Sequence, residues 1–225
     1  MSPSEFSETV SGGDLKAIRQ ALRADQSLAN VDIVDGQRPL HEAPSKGVAL
    51  CLIKAGADVN VVGRAGMTPL HWMIDYTETE IIQVLIEHGA KLDILDDRGL
   101  SPLACAARKW PMLDGCEEEA SVFQMLKEAG APYDLPAACM MADAGRVREL
   151  IAQDPSVVKG ISAKTANFIL APLMIHQWGT LEGKKEIFDL LFAHGFRPDA
   201  ERSMRYYGDD TYPAAEHLRE LLQRL

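Results

Sequence analysis

Cysteine is scarce in this sequence and carries no pairing pattern: Cys51, Cys105, Cys116 and Cys139 include no CxxC. That spacing fits neither a dense disulfide framework nor a zinc site, and it points to a reducing compartment. Long apolar runs are missing as well. The longest uncharged stretch, residues 165–181, still holds Asn167, Pro172, His176, Gln177 and Gly179, so it is too short and too polar to span a bilayer. The first residues, Met1-Ser2-Pro3-Ser4-Glu5, lack the basic and apolar regions of a secretory signal. Positive charge is in deficit, with 23 Lys and Arg against 33 Asp and Glu, a net charge of −10. A chain so acidic repels phosphate backbones, so nucleic acid is not an expected partner. Gly and Pro, at 17 and 12 residues, are too few for a linker or a collagen, and 47% hydrophobic content is too high for a disordered chain. What remains is a globular cytoplasmic protein, off the membrane, with 225 residues from which to bury a sizeable core.

Self-similarity organises that core. An apolar triplet at spacing i, i+3, i+4 recurs as Ile18/Ala21/Leu22, Ala49/Leu52/Ile53, Ile82/Leu85/Ile86, Val122/Met125/Leu126, Val147/Leu150/Ile151, Ile187/Leu190/Leu191 and Leu218/Leu221/Leu222. Residues so spaced share one face of a helix. First members are separated by 31, 33, 40, 25, 40 and 31 residues, a mean of about 33. A second signal precedes three of these helices. Arg38-Pro39-Leu40-His41, Thr68-Pro69-Leu70-His71 and Ser101-Pro102-Leu103-Ala104 each follow a glycine at one offset, Gly36, Gly66 and Gly99. Proline suits a first helical turn, and Thr68 and Ser101 can cap it. A glycine closes three of the outer helices, in Ala55-Gly56-Ala57, His88-Gly89-Ala90 and Ala129-Gly130-Ala131.

With T-P-L-H, two antiparallel helices, then G-A-D-V-N and a β-turn finger, the chain resembles the ankyrin repeats. The resemblance is strong from Asn30 to Asp134 and weaker outside it. It implies an all-α solenoid of stacked helix pairs with short β-turn fingers, one domain over 1–225. Approximate repeats are 1–32, 33–62, 63–95, 96–134, 135–160, 161–199 and a polar cap at 200–225. Residues 135–158 and 15–29 share a tail, Asp154-Pro155-Ser156-Val157 and Asp25-Gln26-Ser27-Leu28, whose style resembles bacterial members. Departures are visible. The repeat at 38–60 is about three residues short, a deficit expected between Gly47 and Gly56. About eight extra residues fall at 111–118, no finger shows between Asp134 and Pro136, and the weakest seam is expected near Tyr133 to Pro136.

Catalytic and metal motifs are missing. There is no HExxH, no GxxxxGK[ST], no GxGxxG and no EF-hand spacing, so no cofactor or metal is expected. The resemblance gives His41 and His71 a bracing role between neighbouring loops. His88 and His194 precede terminal glycines, where a cation suits a helix C-terminus. The same resemblance implies a non-enzymatic module that binds a specific protein partner through its fingers and inner helices, with an inhibitor or immunity protein as the sharper variant. Carried onto this chain, the partner-binding residues are Arg64, Met67, Trp72, Asp75, Tyr76, Asp97, Arg98, Arg108, Lys109 and Trp178, with Ser45 and Lys46 as the first inner-helix pair. All but Trp72, whose commoner reading is a buried space-filling ring, are expected to face solvent, and Arg64, Tyr76, Arg98, Arg108 and Lys109 form a basic and aromatic ladder suited to an acidic stretch. A monomer is expected. The competing reading is an enzyme built on a helical solenoid, using His176, Tyr207, Asp209, Asp210 and His217.

Overall fold

The computed structural model describes residues 1–109, 117–174, 179–199, 203, 205 and 214–223. Its helices are α1 (Pro3–Ser11), α2 (Leu15–Ala24), α3 (Lys46–Lys54), α4 (Pro69–Tyr76), α5 (Thr79–Glu87), α6 (Pro102–Lys109), α7 (Glu117–Glu128), α8 (Leu135–Met140), α9 (Ala144–Gln153), α10 (Ala163–Met174), α11 (Leu181–Ala193) and α12 (Ala215–Gln223). Among the described residues there is no named strand. The one β-bridge joins Val34 to Gln37.

The helices stack in two rows. In the inner row the short 3-10 turn Pro39–Glu42 packs on α4, α4 on α6, α6 on α8 and α8 on α10. In the outer row α2 packs on α3, α3 on α5 and α5 on α7, and beyond them α9 packs on α11 and α11 on α12. The inner row runs across the seam expected at 133–136, since α6 meets α8 directly. One apolar cluster extends from Phe6 to Leu222. The first residue of every apolar triplet is buried: Ile18, Ala49, Ile82, Val122, Val147, Ile187 and Leu218. Each large member of that cluster gains about 1.5–3 kcal/mol by leaving water, which no helix pair could collect alone.

Local sequence explains the corners. Thr68 Oγ1 accepts the His71 amide at 3.4 Å, and Ser101 Oγ accepts the Ala104 amide at 3.2 Å, so α4 and α6 start where proline and a hydroxyl coincide. The turn from an inner to an outer helix uses one left-handed residue: Gly13, Thr77, Ala142 or Gly179. Outer helices then leave by two routes. At Gly89, with φ +86°, the chain turns left-handed and the Ala90 amide reaches back to Leu85 O at 2.9 Å. After α2 and α9 an aspartate takes over instead. Asp25 and Asp154 each accept the N–H and hydroxyl of the serine two residues on, Ser27 and Ser156, and start a 3-10 turn.

The short repeat is short in a different place from the expectation. Helix α3 is as long as α5, nine residues each. The deficit lies before it: the inner element is the four-residue 3-10 turn Pro39–Glu42, not an eight-residue helix like α4. Ser45 Oγ accepts the Val48 amide at 3.4 Å, so Ser45 caps the outer helix and Lys46 begins it. Neither belongs to an inner helix.

Candidate functional site

Three fingers stand beside the inner row. The first turns at Asp35 and Gly36, both left-handed, with Ile33 N donating to Gln37 O at 2.9 Å. The second repeats this at Ala65 and Gly66, with Gly63 N donating to Met67 O at 2.8 Å. A Cβ on Gly66 would stand 2.6 Å from the Asp97 backbone nitrogen, so the close approach of the next finger requires glycine there. The third finger differs. Only Gly99 is left-handed, and the Asp96 carboxylate shapes the turn by accepting the amides of Arg98 at 2.8 Å and Leu100 at 3.1 Å. Adjacent fingers touch through the Asp97 amide and Ala65 O at 2.9 Å.

Buried histidines tie the fingers to the helices. His41 Nδ1 accepts the Arg38 amide at 3.1 Å, which leaves its Nε2–H to donate to Met67 O at 3.2 Å. His71 repeats the arrangement one unit on, with Thr68 at Nδ1 and Leu100 O at 3.3 Å from Nε2. Both rings are fully buried, and burial pulls both imidazoles below their ordinary range. Each side chain therefore braces two successive loops, as the resemblance implied. His88 and His194 both point Nδ1–H at the carbonyl four residues back, Val84 and Leu190, at 2.8 Å.

The candidate partner residues separate into two groups. Arg64, Tyr76 and Asp97 are exposed, and Tyr76 is the most exposed large apolar side chain of the inner row at 64%. Its ring lies 5.7 Å from that of half-buried Trp72. Met67, Asp75, Arg98, Arg108 and Lys109 do not stand free in solvent, which corrects that expectation. Met67 is buried. Arg98 places Nε 2.6 Å from Asp96 Oδ2 and Nη2 3.7 Å from Asp75 Oδ2, with its guanidinium over the Phe168 ring at 5.7 Å. Arg108 pairs with Asp75 at 2.8 Å. Lys109 Nζ donates to Ile74 O at 3.1 Å, Asp75 O at 2.7 Å and Thr77 Oγ1 at 2.6 Å, on the C-terminal turn of α4 where a cation is stabilised.

Arg98, Arg108 and Lys109 of the ladder thus form an internal network rather than a free basic stripe. Its floor contains the Cys105 thiol, which burial pushes far up, beside Arg98 Nη2 at 3.5 Å. The sequence reading missed Asp96 as its keystone. The signal was present as an acid two residues before Arg98, since carboxylates commonly accept the amide two positions on. It also missed Asn30 and Asn60. Asn30 Nδ2 donates to Gly56 O at 2.7 Å while its Oδ1 accepts the Asp58 amide at 2.8 Å, and Asn60 does the same to Gly89 and Lys91. Trp178 and the extra residues 111–116 lie outside the described residues, as do His176, Tyr207, Asp209 and Asp210 of the enzymatic alternative. Its remaining member, His217, sits 2.9 Å from Asp189 across α11 and α12. Among the described residues no group of three His, Cys, Asp or Glu side chains could hold a metal, and no helix is long and apolar enough to cross a membrane.

Comparison with known proteins supports the fold. Residues 40–135 match the family model of ankyrin repeats in three copies. Mouse Rabankyrin-5 is 45% identical over 76 residues, which is 32% of this chain and 6% of that protein. Human protein phosphatase 1 regulatory subunit 27 is 35% identical over 101 residues, 43% of this chain and 65% of that protein. A putative ankyrin repeat protein of fowlpox virus, FPV234, is 43% identical over 54 residues, 23% of this chain and 13% of that protein. The chain spans less than two thirds of each of these relatives, and none of the three is bacterial. Stacked helix pairs and finger turns make the described residues an all-α solenoid of the ankyrin-repeat kind, with the family model matching residues 40–135.

Proposed function

We propose that this ankyrin-repeat solenoid is a non-enzymatic module that holds one specific protein partner against its fingers and inner-helix face. The observation that carries the reading is Tyr76, 64% exposed beside Trp72 on a row of helices fixed by ion pairs. An aromatic anchor held out by a rigid floor loses little entropy on binding, and Tyr, Trp and Arg are the residue types that dominate interface energies. Arg64 and Asp97 offer charged contacts at the finger tips. Asp75, Arg98 and Arg108 hold the floor and turn their remaining donors and acceptors to the partner, while Lys109, with its three donors spent on the end of α4, and buried Met67 support that face. Trp178 is assigned to the same face by its sequence position.

Inhibition of a partner enzyme is the sharper form of this reading. The likeness over 101 residues to a regulatory subunit of protein phosphatase 1 supports it. A monomer in the cytoplasm completes it, supported by free thiols at Cys51, Cys105 and Cys139. We divide the chain into repeats at the boundaries expected from sequence.

The test is affinity capture from native lysate with mass spectrometry, comparing the wild type with an Arg64→Glu/Tyr76→Ala variant. One stoichiometric protein, lost with that variant, is the expected result. Capture unchanged by the variant would remove this face from the reading. Charge reversal at Arg98 and Arg108 is the poorer probe, because it would leave Asp75 and Asp96 unpaired and disturb the floor itself.

A further inference from the structure

The stack of fingers stops at the third, and the space where a fourth would lie is open. From Ala131 the chain runs through Pro132, Tyr133 and Asp134 straight into α8, and from Gly160 straight into α10. No β-turn projects at either place. The far side of the third finger is met instead by side chains of α10: the Thr165 hydroxyl donates to Arg98 O at 2.7 Å, and the Phe168 ring lies against the Arg98 guanidinium. Beside that contact lies a groove of about 730 Å³, bounded by the third finger, the entry to α8 and the segment from Val157 to Thr165. Such a volume is ample for several residues of extended chain.

Its chemistry is one-sided. The walls hold Asp93, Asp96, Asp97 and Asp134 and no Lys, Arg or His. Asp96 is taken up by Arg98, whereas Asp93 and Asp97 are exposed at the rim. Leu135 and Ile161 line the floor, and Leu95 projects at the mouth with 56% of its surface in solvent. The helix N-termini nearby are already closed, α8 by Asp134 on the Ala137 amide at 2.9 Å and α10 by Ser162 on the Thr165 amide at 3.0 Å. They leave no positive end to favour an anion.

Resting on the protein-binding reading, we propose that this groove takes an extended segment of a partner protein that carries Lys or Arg beside aliphatic residues, seated in the place of the absent fourth finger. Aliphatic side chains cover Leu95 and Ile161, and the cations face Asp93 and Asp97. The net charge of −10 draws the same kind of segment from a distance.

A displayed library of random 12-residue peptides, selected on the full chain, tests this. The expected outcome is enrichment of peptides with Lys or Arg next to Val, Ile or Leu, whose addition shifts the backbone amides of residues 95–101 and 157–165. An Asp93→Lys/Asp97→Lys variant, which changes exposed side chains only, should bind them roughly tenfold more weakly and keep the wild-type circular dichroism. A Tyr76→Ala variant should bind them as the wild type does. Enriched peptides without basic residues, peptides that bind the Asp93→Lys/Asp97→Lys variant equally well, or no enrichment at all would each overturn the proposal. Loss of the lysate partner in Arg64→Glu/Tyr76→Ala alone would then still stand for the inner face.

Discussion

Residues 33–101 and residues 131–165 stack the same kind of helix but join their units by different means. In the first stretch a buried histidine of each unit reaches the next finger, His41 to Met67 O and His71 to Leu100 O. Asn30 and Asn60 clamp the following outer-helix exits, and adjacent fingers share the bond from Asp97 to Ala65. The second stretch has no finger and no T-P-L-H histidine. It relies on the packing of α6, α8 and α10 and on one hydroxyl, Thr165, across the seam. The comparison teaches that helix packing alone continues the stack, while the loop layer is a separate system of polar bonds that stops where its residues stop.

The largest expected effect falls on the first stretch. His71→Ala leaves Leu100 O without its buried donor and Thr68 without its acceptor, and opens a cavity, so it should cost about 3 kcal/mol in urea unfolding. Both bracing rings also set a pH dependence. Their folded pKa values lie below the ordinary imidazole value of 6.5, so the unfolded chain binds protons first as pH falls. Stability is complete above that value and is lost progressively below it. The urea midpoint should be lower at pH 5.5 than at pH 7.5, by less in a His41→Asn variant, and imidazole NMR should find both rings titrating below the ordinary value of 6.5.

Thr165→Val probes the second stretch. It keeps the shape and removes the hydroxyl donated to Arg98 O, so about 1 kcal/mol is expected, with faster amide exchange at the third finger. The smallest effect would extend one system into the other. Asp93 stands where Asn60 stands one repeat earlier, and a carboxylate cannot donate to the next exit as an amide does. Asp93→Asn should therefore raise stability by about 0.5 kcal/mol, read from the urea midpoint. No gain would mean that the clamp needs the finger that follows it.

Much of this was legible from the residues. Periodicity at i, i+3, i+4 found every outer helix from α2 to α12, because burial on one helix face forces that spacing. Pro after a hydroxyl or Arg marked the inner elements, and the histidine after Leu marked the braces. What periodicity did not place was the three-residue deficit. Only the contacts show it in the inner element, since Val48, Ala49 and Leu52 hold α3 to full length while Pro39–Glu42 shrinks to one turn. The candidate site was half legible. The charges of Arg98 and Arg108 are compensated by Asp96 and Asp75; Asp96 is two residues from Arg98 and was legible, whereas sequence distance conceals Asp75.

By itself the sequence determined the solenoid, because a repeat that cannot bury its apolar face alone has one economical solution, to stack on its neighbour. The ends of its helices were determined as well, since Gly, Pro, Asp, Ser and Thr act within a few residues of themselves. The tertiary structure decided which surface charges are free, where the short repeat is short, and that the fingers end at a groove lined by carboxylates. Those outcomes depend largely on which atoms meet across distant parts of the chain, as Asp75 meets Arg108 and Thr165 meets Arg98. Local spacing fixes the direction a side chain leaves its helix, and only packing fixes what it finds there.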